Sequence, residues 1–370
     1  MSVRMRDADP ALETLLLPLA EGRLDWPAGG VLFLRARDGW PLHAAPRPGL
    51  VAEQSFRPDA QALEASGIEL VGPGDARRYP LVMLLPPRQR DESRALMARA
   101  LASLAPGGRV LACVPNSEGA RSAEQDLAAI AGPVETISKN KCRVFWTAPL
   151  TAAADPALAA RWQALDDVRT IDDPRFASRP GVFAWDRIDP ASRLLAEHLP
   201  DDLGGVAADL GAGFGYLSVE LLERCPGVAS LHLYEAESRA LELARQNLAP
   251  FAQRAALEFR WHDVTTGLPQ AYDVIVTNPP FHTQSRADRP DIGRRFIAVA
   301  AQALRPGGRL WLVANRHLPY ESVLDASFGE VRTVAQRDGF KVIEAVKAIP
   351  ARPERAPRPF DRTAARNAHR

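Results

Sequence analysis

Several things are scarce in this sequence of 370 residues. There are three cysteines, Cys113, Cys142 and Cys225, with no C-x-x-C or other paired spacing. That excludes a disulfide framework and points to buried thiols in a reducing compartment, the cytoplasm. Lysine is nearly absent: of 46 basic residues, only Lys139, Lys141, Lys341 and Lys347 are not arginine. Alanine and proline are abundant in the same chain, so the bias reflects genome composition and is not read as a nucleic-acid signature. Net charge is small, formally +1, and the chain as a whole is no polyelectrolyte. No apolar run approaches the length of a membrane span, and the N-terminus has neither the basic nor the apolar region of a signal peptide; no membrane association is expected. Histidines are few, and His282 and His317 stand on separate loops without cysteine partners, so no metal is expected.

What is there begins with 46% hydrophobic residues, ample for two cores, in a length that predicts two domains. The halves look unrelated until they are searched for repeats. Leu104-Ala-Pro-Gly-Gly-Arg-Val matches Leu304-Arg-Pro-Gly-Gly-Arg-Leu. Tyr79-Pro-Leu-Val-Met-Leu-Leu-Pro-Pro matches Tyr272-Asp-Val-Ile-Val-Thr-Asn-Pro-Pro, and Cys142-Arg-Val-Phe matches Phe340-Lys-Val-Ile. Three landmarks in one order predict two copies of one fold.

In the second copy, polar residues gather at the ends of apolar runs. Val206–Leu210 carries Asp209 and runs into Gly211-Ala-Gly213-Phe-Gly215, a turn in which glycine admits tight bends and close ligand approach. The spacing is not the dinucleotide fingerprint Gly-x-Gly-x-x-Gly. Leu231–Tyr234 ends at Glu235, placed to accept from ribose hydroxyls, and a helix follows over Ser238–Leu248. Phe259–Asp263 ends in a further acceptor, Asp263. Tyr272–Val276 ends in Thr277-Asn278-Pro279-Pro280-Phe281. Two prolines hold an extended backbone and donate no amide hydrogen, leaving carbonyls free. Asn278 adds a side-chain oxygen and Phe281 a flat face. That combination suits a planar group bearing an exocyclic amine, such as a nucleobase. The motif order implies a mostly parallel α/β sheet with ligands at the strands' carboxyl ends.

This order of motifs resembles class I S-adenosylmethionine-dependent methyltransferases. The Asn-Pro-Pro-Phe form is typical of members that methylate exocyclic amines or amides. Ser178-Arg-Pro-Gly-Val-Phe183 and Val313-Ala-Asn-Arg-His-Leu-Pro-Tyr320 narrow the resemblance to the two-domain rRNA (guanine-N2) methyltransferases, small-subunit type C and large-subunit type G. The match is good over roughly 176–348 and loose before it. It implies two tandem Rossmann-like domains and S-adenosylmethionine as cofactor. The substrate it implies is ribosomal RNA or a ribosomal subunit, met by a monomer. Asn278, Pro279, Pro280 and Phe281 would be catalytic. Phe183, Asp209, Gly211, Gly213, Gly215, Glu235, Asp263 and Asn278 would hold the cofactor. For Asp209 the alternative is a helix-capping role, and for Phe183 a place in the core.

The first copy has Leu85 where the second has Asn278 and Arg88 where it has Phe281, and lacks the glycine turn. It reads as a degenerate scaffold or substrate-positioning domain over 1–150. A linker over 151–177 follows, with a helix near Ala157–Leu165, and then the catalytic domain over 178–350. The tail, 351–370, carries six arginines against Glu354 and Asp361; it reads as a disordered segment, either an arm toward rRNA phosphate or a solvated terminus. Competing readings are a protein glutamine (release factor) N-methyltransferase, whose motif is usually Asn-Pro-Pro-Tyr, a DNA adenine methyltransferase, and a non-catalytic ribosome assembly factor. The last predicts loss of the glycine turn, which is intact.

Overall fold

The computed structural model describes residues 9–280 and 290–350. Within them the chain forms two seven-stranded sheets. The first contains β1 (Val31–Leu34), β2 (Leu50–Glu53), β3 (Glu69–Leu70), β4 (Tyr79–Leu84), β5 (Leu104–Pro115), β6 (Val134–Lys139) and β7 (Cys142–Thr147), in the order β3-β2-β1-β4-β5-β7-β6. A two-stranded ribbon follows, β8 (Arg169–Thr170) with β9 (Ala177–Ser178). The second sheet contains β10 (Gly204–Leu210), β11 (Gly227–Glu235), β12 (Ala256–Trp261), β13 (Tyr272–Thr277), β14 (Leu304–Asn315), β15 (Glu330–Arg337) and β16 (Phe340–Val346), in the order β12-β11-β10-β13-β14-β16-β15.

Strand for strand the two orders are the same. In each sheet the neighbours run parallel except for the last two pairings, which are antiparallel. The repeat seen at Pro-Gly-Gly is therefore a repeat of structure. β5 and β14 are each 12 residues long, and β4 and β13 are each 6.

The central strands are near-continuous apolar runs because helices cover both faces of each sheet. The crossover helix before β14 spans Pro290–Ala303 and starts at a proline suited to a helix's first turn. It turns Phe296, Ile297, Ala300 and Ala301 inward, the spacing of one helical face. The helix expected in the linker spans Pro156–Gln163. Its Trp162 is buried in the first sheet's core, under the Arg94 guanidinium at 4.9 Å from the ring centroid. All three cysteines are buried and unpaired, as their spacing predicts. Among the described residues, no helix is long and apolar enough to cross a membrane. The tail 351–370 lies outside the described residues.

The two sheets are joined by matching segments. Register aligns Leu34 of β1 with Glu53 and Leu210 of β10 with Tyr234, which makes Ser55, Phe56 and Arg57 the counterparts of Ala236, Glu237 and Ser238. These segments form an antiparallel bridge at Phe56 and Glu237. The Arg57 amide donates to the Ala236 carbonyl at 2.7 Å, and the Ser238 amide donates to the Ser55 carbonyl at 2.9 Å. Each contact is the image of the other. Around them, Arg239 bonds Glu92 at 2.5 Å, Asp166 at 2.5 Å and the Pro180 carbonyl at 2.9 Å, tying the first domain, the linker and the segment before Phe183 together.

Candidate active site

In the second sheet the strand order runs outward from β10 on one side and from β13 on the other. The reversal point, where open α/β sheets bind ligands at their carboxyl edge, lies between these two strands. Their ends are tied by the buried Thr277 hydroxyl, which donates to the Leu210 carbonyl at 2.6 Å.

β10 leads into the glycine turn, in which Gly211, Gly213 and Gly215 have φ of +74°, +55° and +91°. The amides of Gly211 and Ala212 donate to the Tyr234 carbonyl at 2.8 and 3.1 Å. The Gly213 amide donates to Glu235 Oε2 at 2.8 Å. Glu235 Oε1 in turn accepts the Glu237 amide at 2.8 Å. The turn is thus wired to the end of β11 through Glu235. Burial pushes the Glu235 carboxyl up, against the opposing pull of these amides.

Two of these glycines do different work. A side chain at Gly213 would meet no atom within 4 Å, because this residue borders a cleft. A side chain at Gly215 would meet Leu248 Cδ1 at 2.5 Å, so this glycine serves close packing of the helix Tyr216–Arg224.

The cleft brings together Phe183, Gly211, Gly213 and Asn278 of the expected residues. Phe183 is 66% exposed, which places it at the rim rather than in the core. Asp209, Glu235 and Asp263 do not line this cleft. Asp209 is fully buried beneath it. Its Oδ2 accepts the Ser218 hydroxyl at 2.7 Å in the first turn of the following helix, and its Oδ1 has no partner. Burial raises this carboxyl to about 7, overcoming the Ser218 bond, and nearby Glu235 adds to the rise. Asp263 starts the short turn Val264–Thr266, accepting Thr265 N at 2.9 Å and Thr265 Oγ1 at 2.7 Å. The end of β12 stands beside Glu235, whose carbonyl accepts the His262 amide at 2.9 Å.

Asn278 follows β13, with Pro279 buried and Pro280 exposed. Its Nδ2 donates to Asp189 Oδ2 at 3.0 Å and to Ser192 Oγ at 2.8 Å. Its Oδ1 is buried and has no partner. Phe281, His282, Arg286 and Arg289 lie outside the described residues. Of the arginines after the loop, Arg295 is engaged locally, donating to the Thr265 carbonyl at 2.7 Å.

Asp189 and Ser192 were not anticipated. In sequence, Asp189-Pro-Ala-Ser192 is only a helix start, with Asp at the cap and Pro at the first turn. Nothing local marks it as the partner of a residue some ninety positions on.

The first copy keeps the scaffold but carries different residues at the positions of the second copy's site. Arg35 occupies the position of Gly211 and keeps its left-handed backbone, φ +50°. Leu85 takes the position of Asn278 and is buried. Gln54 stands for Glu235: its Oε1 accepts the Phe56 amide at 2.9 Å, as Glu235 accepts that of Glu237. Its Nε2, however, donates to the Ala36 carbonyl at 2.6 Å, the reverse of the Glu235–Gly213 polarity.

A family model described as Methyltransferase small domain matches residues 173–344. The Ribosomal RNA small subunit methyltransferase C of Pseudomonas aeruginosa strain UCBPP-PA14 is 32% identical over 320 residues, covering 86% of this chain and 92% of that protein. The chain belongs to the ribosomal RNA small subunit methyltransferase C family. The methyltransferase C of Ectopseudomonas mendocina strain ymp is 32% identical over 349 residues, 91% of this chain and 99% of that one. Among solved structures, the T. thermophilus 16S rRNA N2 G1207 methyltransferase, in complex with AdoMet and guanosine, matches with a TM-score of 0.76 at 27% identity, covering 93% of each chain. The methyltransferase C relatives thus span both domains, including the first half, where the motifs alone gave only a loose match.

Proposed function

We infer that this chain transfers a methyl group from S-adenosylmethionine to the exocyclic N2 amine of a guanine in small-subunit ribosomal RNA. The observation that carries the reading is the Asn278 amide: both donor hydrogens are used within the protein, and Oδ1 is a buried acceptor with nothing to accept from. Such an atom costs about 1–3 kcal/mol and needs a functional explanation. An amine donor from the substrate supplies one.

The residues present fit the cofactor. Gly213 leaves room beside the backbone that a Cβ would fill, in a cleft that Phe183, Gly211 and Asn278 also line. S-adenosylmethionine, when bound, supplies an electrophilic methyl on a sulfonium. Gly211, Gly213 and Phe183 would border it. Glu235 would accept from its ribose hydroxyls through lone pairs left over from the two amide bonds, and Asp263 would stand toward the adenine. Gly215 and Asp209 hold the turn and the helix after it.

The target nitrogen is a poor nucleophile because its lone pair is delocalised into the ring. Asn278 Oδ1 and the Pro279 carbonyl would accept its N–H bonds and localise that pair. Positioning supplies most of the rest, and no strong base is required. Pro280 keeps the loop extended. Phe281 is proposed as the stacking face for a base swung out of its helix or loop. The first domain, 1–150, would serve as scaffold and substrate positioner, with ribosomal RNA or a ribosomal subunit as partner and the cytoplasm as site of action.

The test is single-turnover methylation of small subunits, or of their RNA, from a strain lacking the enzyme. Asn278→Ala lowers the rate roughly 10²–10³-fold, the scale of losing one preorganised oxyanion-hole donor, while S-adenosylhomocysteine affinity is unchanged. Wild-type rate in this variant would remove Asn278 from the reaction.

A further inference from the structure

A primary amide can face a substrate in two ways, oxygen first or nitrogen first, and only one is useful to an incoming amine. The chain settles the choice from behind. Asp189 Oδ2 takes one Nδ2 hydrogen of Asn278 at 3.0 Å, and Ser192 Oγ takes the other at 2.8 Å. Both acceptors belong to the start of one helix, Pro190–His198. Asp189 is its cap, and the same Oδ2 accepts the Ser192 backbone amide at 2.8 Å. The carboxylate is therefore fixed to the helix before it meets Asn278. A carboxylate only accepts, so turning the amide over would set Asn278 Oδ1 against an anionic oxygen. The orphan Oδ1 takes no part in these bonds, and Asn278 lines the cleft together with Gly211 and Gly213.

We propose that Asp189 and Ser192 are positioning residues for methyl transfer, fixing the Asn278 amide so that Oδ1, and not Nδ2, meets the N2 amine of the target guanine. This rests on the reading of Asn278 as that amine's acceptor, and adds what makes it one. Without the two acceptors the amide turns about its last torsion and offers a donor to a donor for part of the time.

Two sets of variants test it. Ser192→Ala removes one acceptor and leaves the Asp189 cap in place. Its single-turnover rate falls roughly 10–100-fold, the scale of a small misplacement at a reacting centre, while KM for the small subunit is unchanged. Calorimetric affinity for S-adenosylhomocysteine also stays at the wild-type value; a plain structural staple would move both. The second set uses sign reversal. Asn278→Asp sets two carboxylates against each other and is nearly inactive. Adding Asp189→Asn, which preserves a helix cap, relieves the repulsion and raises the Asn278→Asp rate at least about tenfold, although the same change does not speed the wild type. Wild-type rate in Ser192→Ala, loss of its S-adenosylhomocysteine affinity, or no rescue of Asn278→Asp would each overturn the positioning role. Failure of the underlying reading looks different: there Asn278→Ala itself would react at the wild-type rate.

Discussion

Burial holds the Asp209 carboxyl at about 7 against an ordinary value of 3.8. Between these limits the folded chain keeps a proton that the unfolded chain has given up. Stability from this group is therefore complete below the lower value and lost as pH rises through the upper one. Asp209→Asn keeps an acceptor for Ser218 and removes the penalty. Near pH 8 the variant gains on the order of 2–4 kcal/mol in urea unfolding, and near pH 4 it gains little. An equal gain at both pH values would show that ionisation is not the cause. At this scale the sequence was an uneven guide. Asn278 was legible because a strand-end Asn-Pro-Pro is a local pattern. Asp209 was legible as important, but its bond to Ser218 in the first turn of the next helix was not, because nothing in the sequence pairs those two positions. Asp189 and Ser192 were illegible because long-range side-chain pairing leaves no local trace.

The glycine turn reads in sequence as one motif with one purpose, and its backbone divides it. Gly215→Ala pushes a methyl onto Leu248 in a left-handed conformation, so stability falls by about 2–4 kcal/mol, measured by denaturant unfolding. Gly213→Ala meets no atom and loses only about 1–2 kcal/mol, the left-handed cost alone. Its S-adenosylhomocysteine affinity, measured by calorimetry, nevertheless falls at least about tenfold, because the methyl occupies the cleft. Both outcomes in one variant would mean the division is wrong. Strand positions were legible to within a few residues, since buried parallel strands are apolar runs ended by polar residues. The linker helix was legible as a helix. Its docking through Trp162 was not, because one tryptophan on a short helix does not say which core it enters.

At the scale of the whole molecule, the duplication was visible in three short landmarks, while the way the copies meet was not. Arg239→Ala leaves Glu92 and Asp166 without their shared cation at the domain junction, and a loss of roughly 2–4 kcal/mol is expected in unfolding experiments. Cofactor stoichiometry by calorimetry should be one per chain, since the first copy has Arg35 and Leu85 where the second has Gly211 and Asn278; a value of two would contradict its degenerate state. The mirrored pairing of 55–57 with 236–238 has a further consequence. It is the geometry of a homodimer dyad, written inside a single polypeptide. Such a contact has a valence of one on each side, and here both are spent. Dilution does not release it, because the tether fixes the local concentration of one half around the other. A second chain enters this contact only by exchanging an entire domain, so sedimentation of the intact protein should show no concentration-dependent association through it.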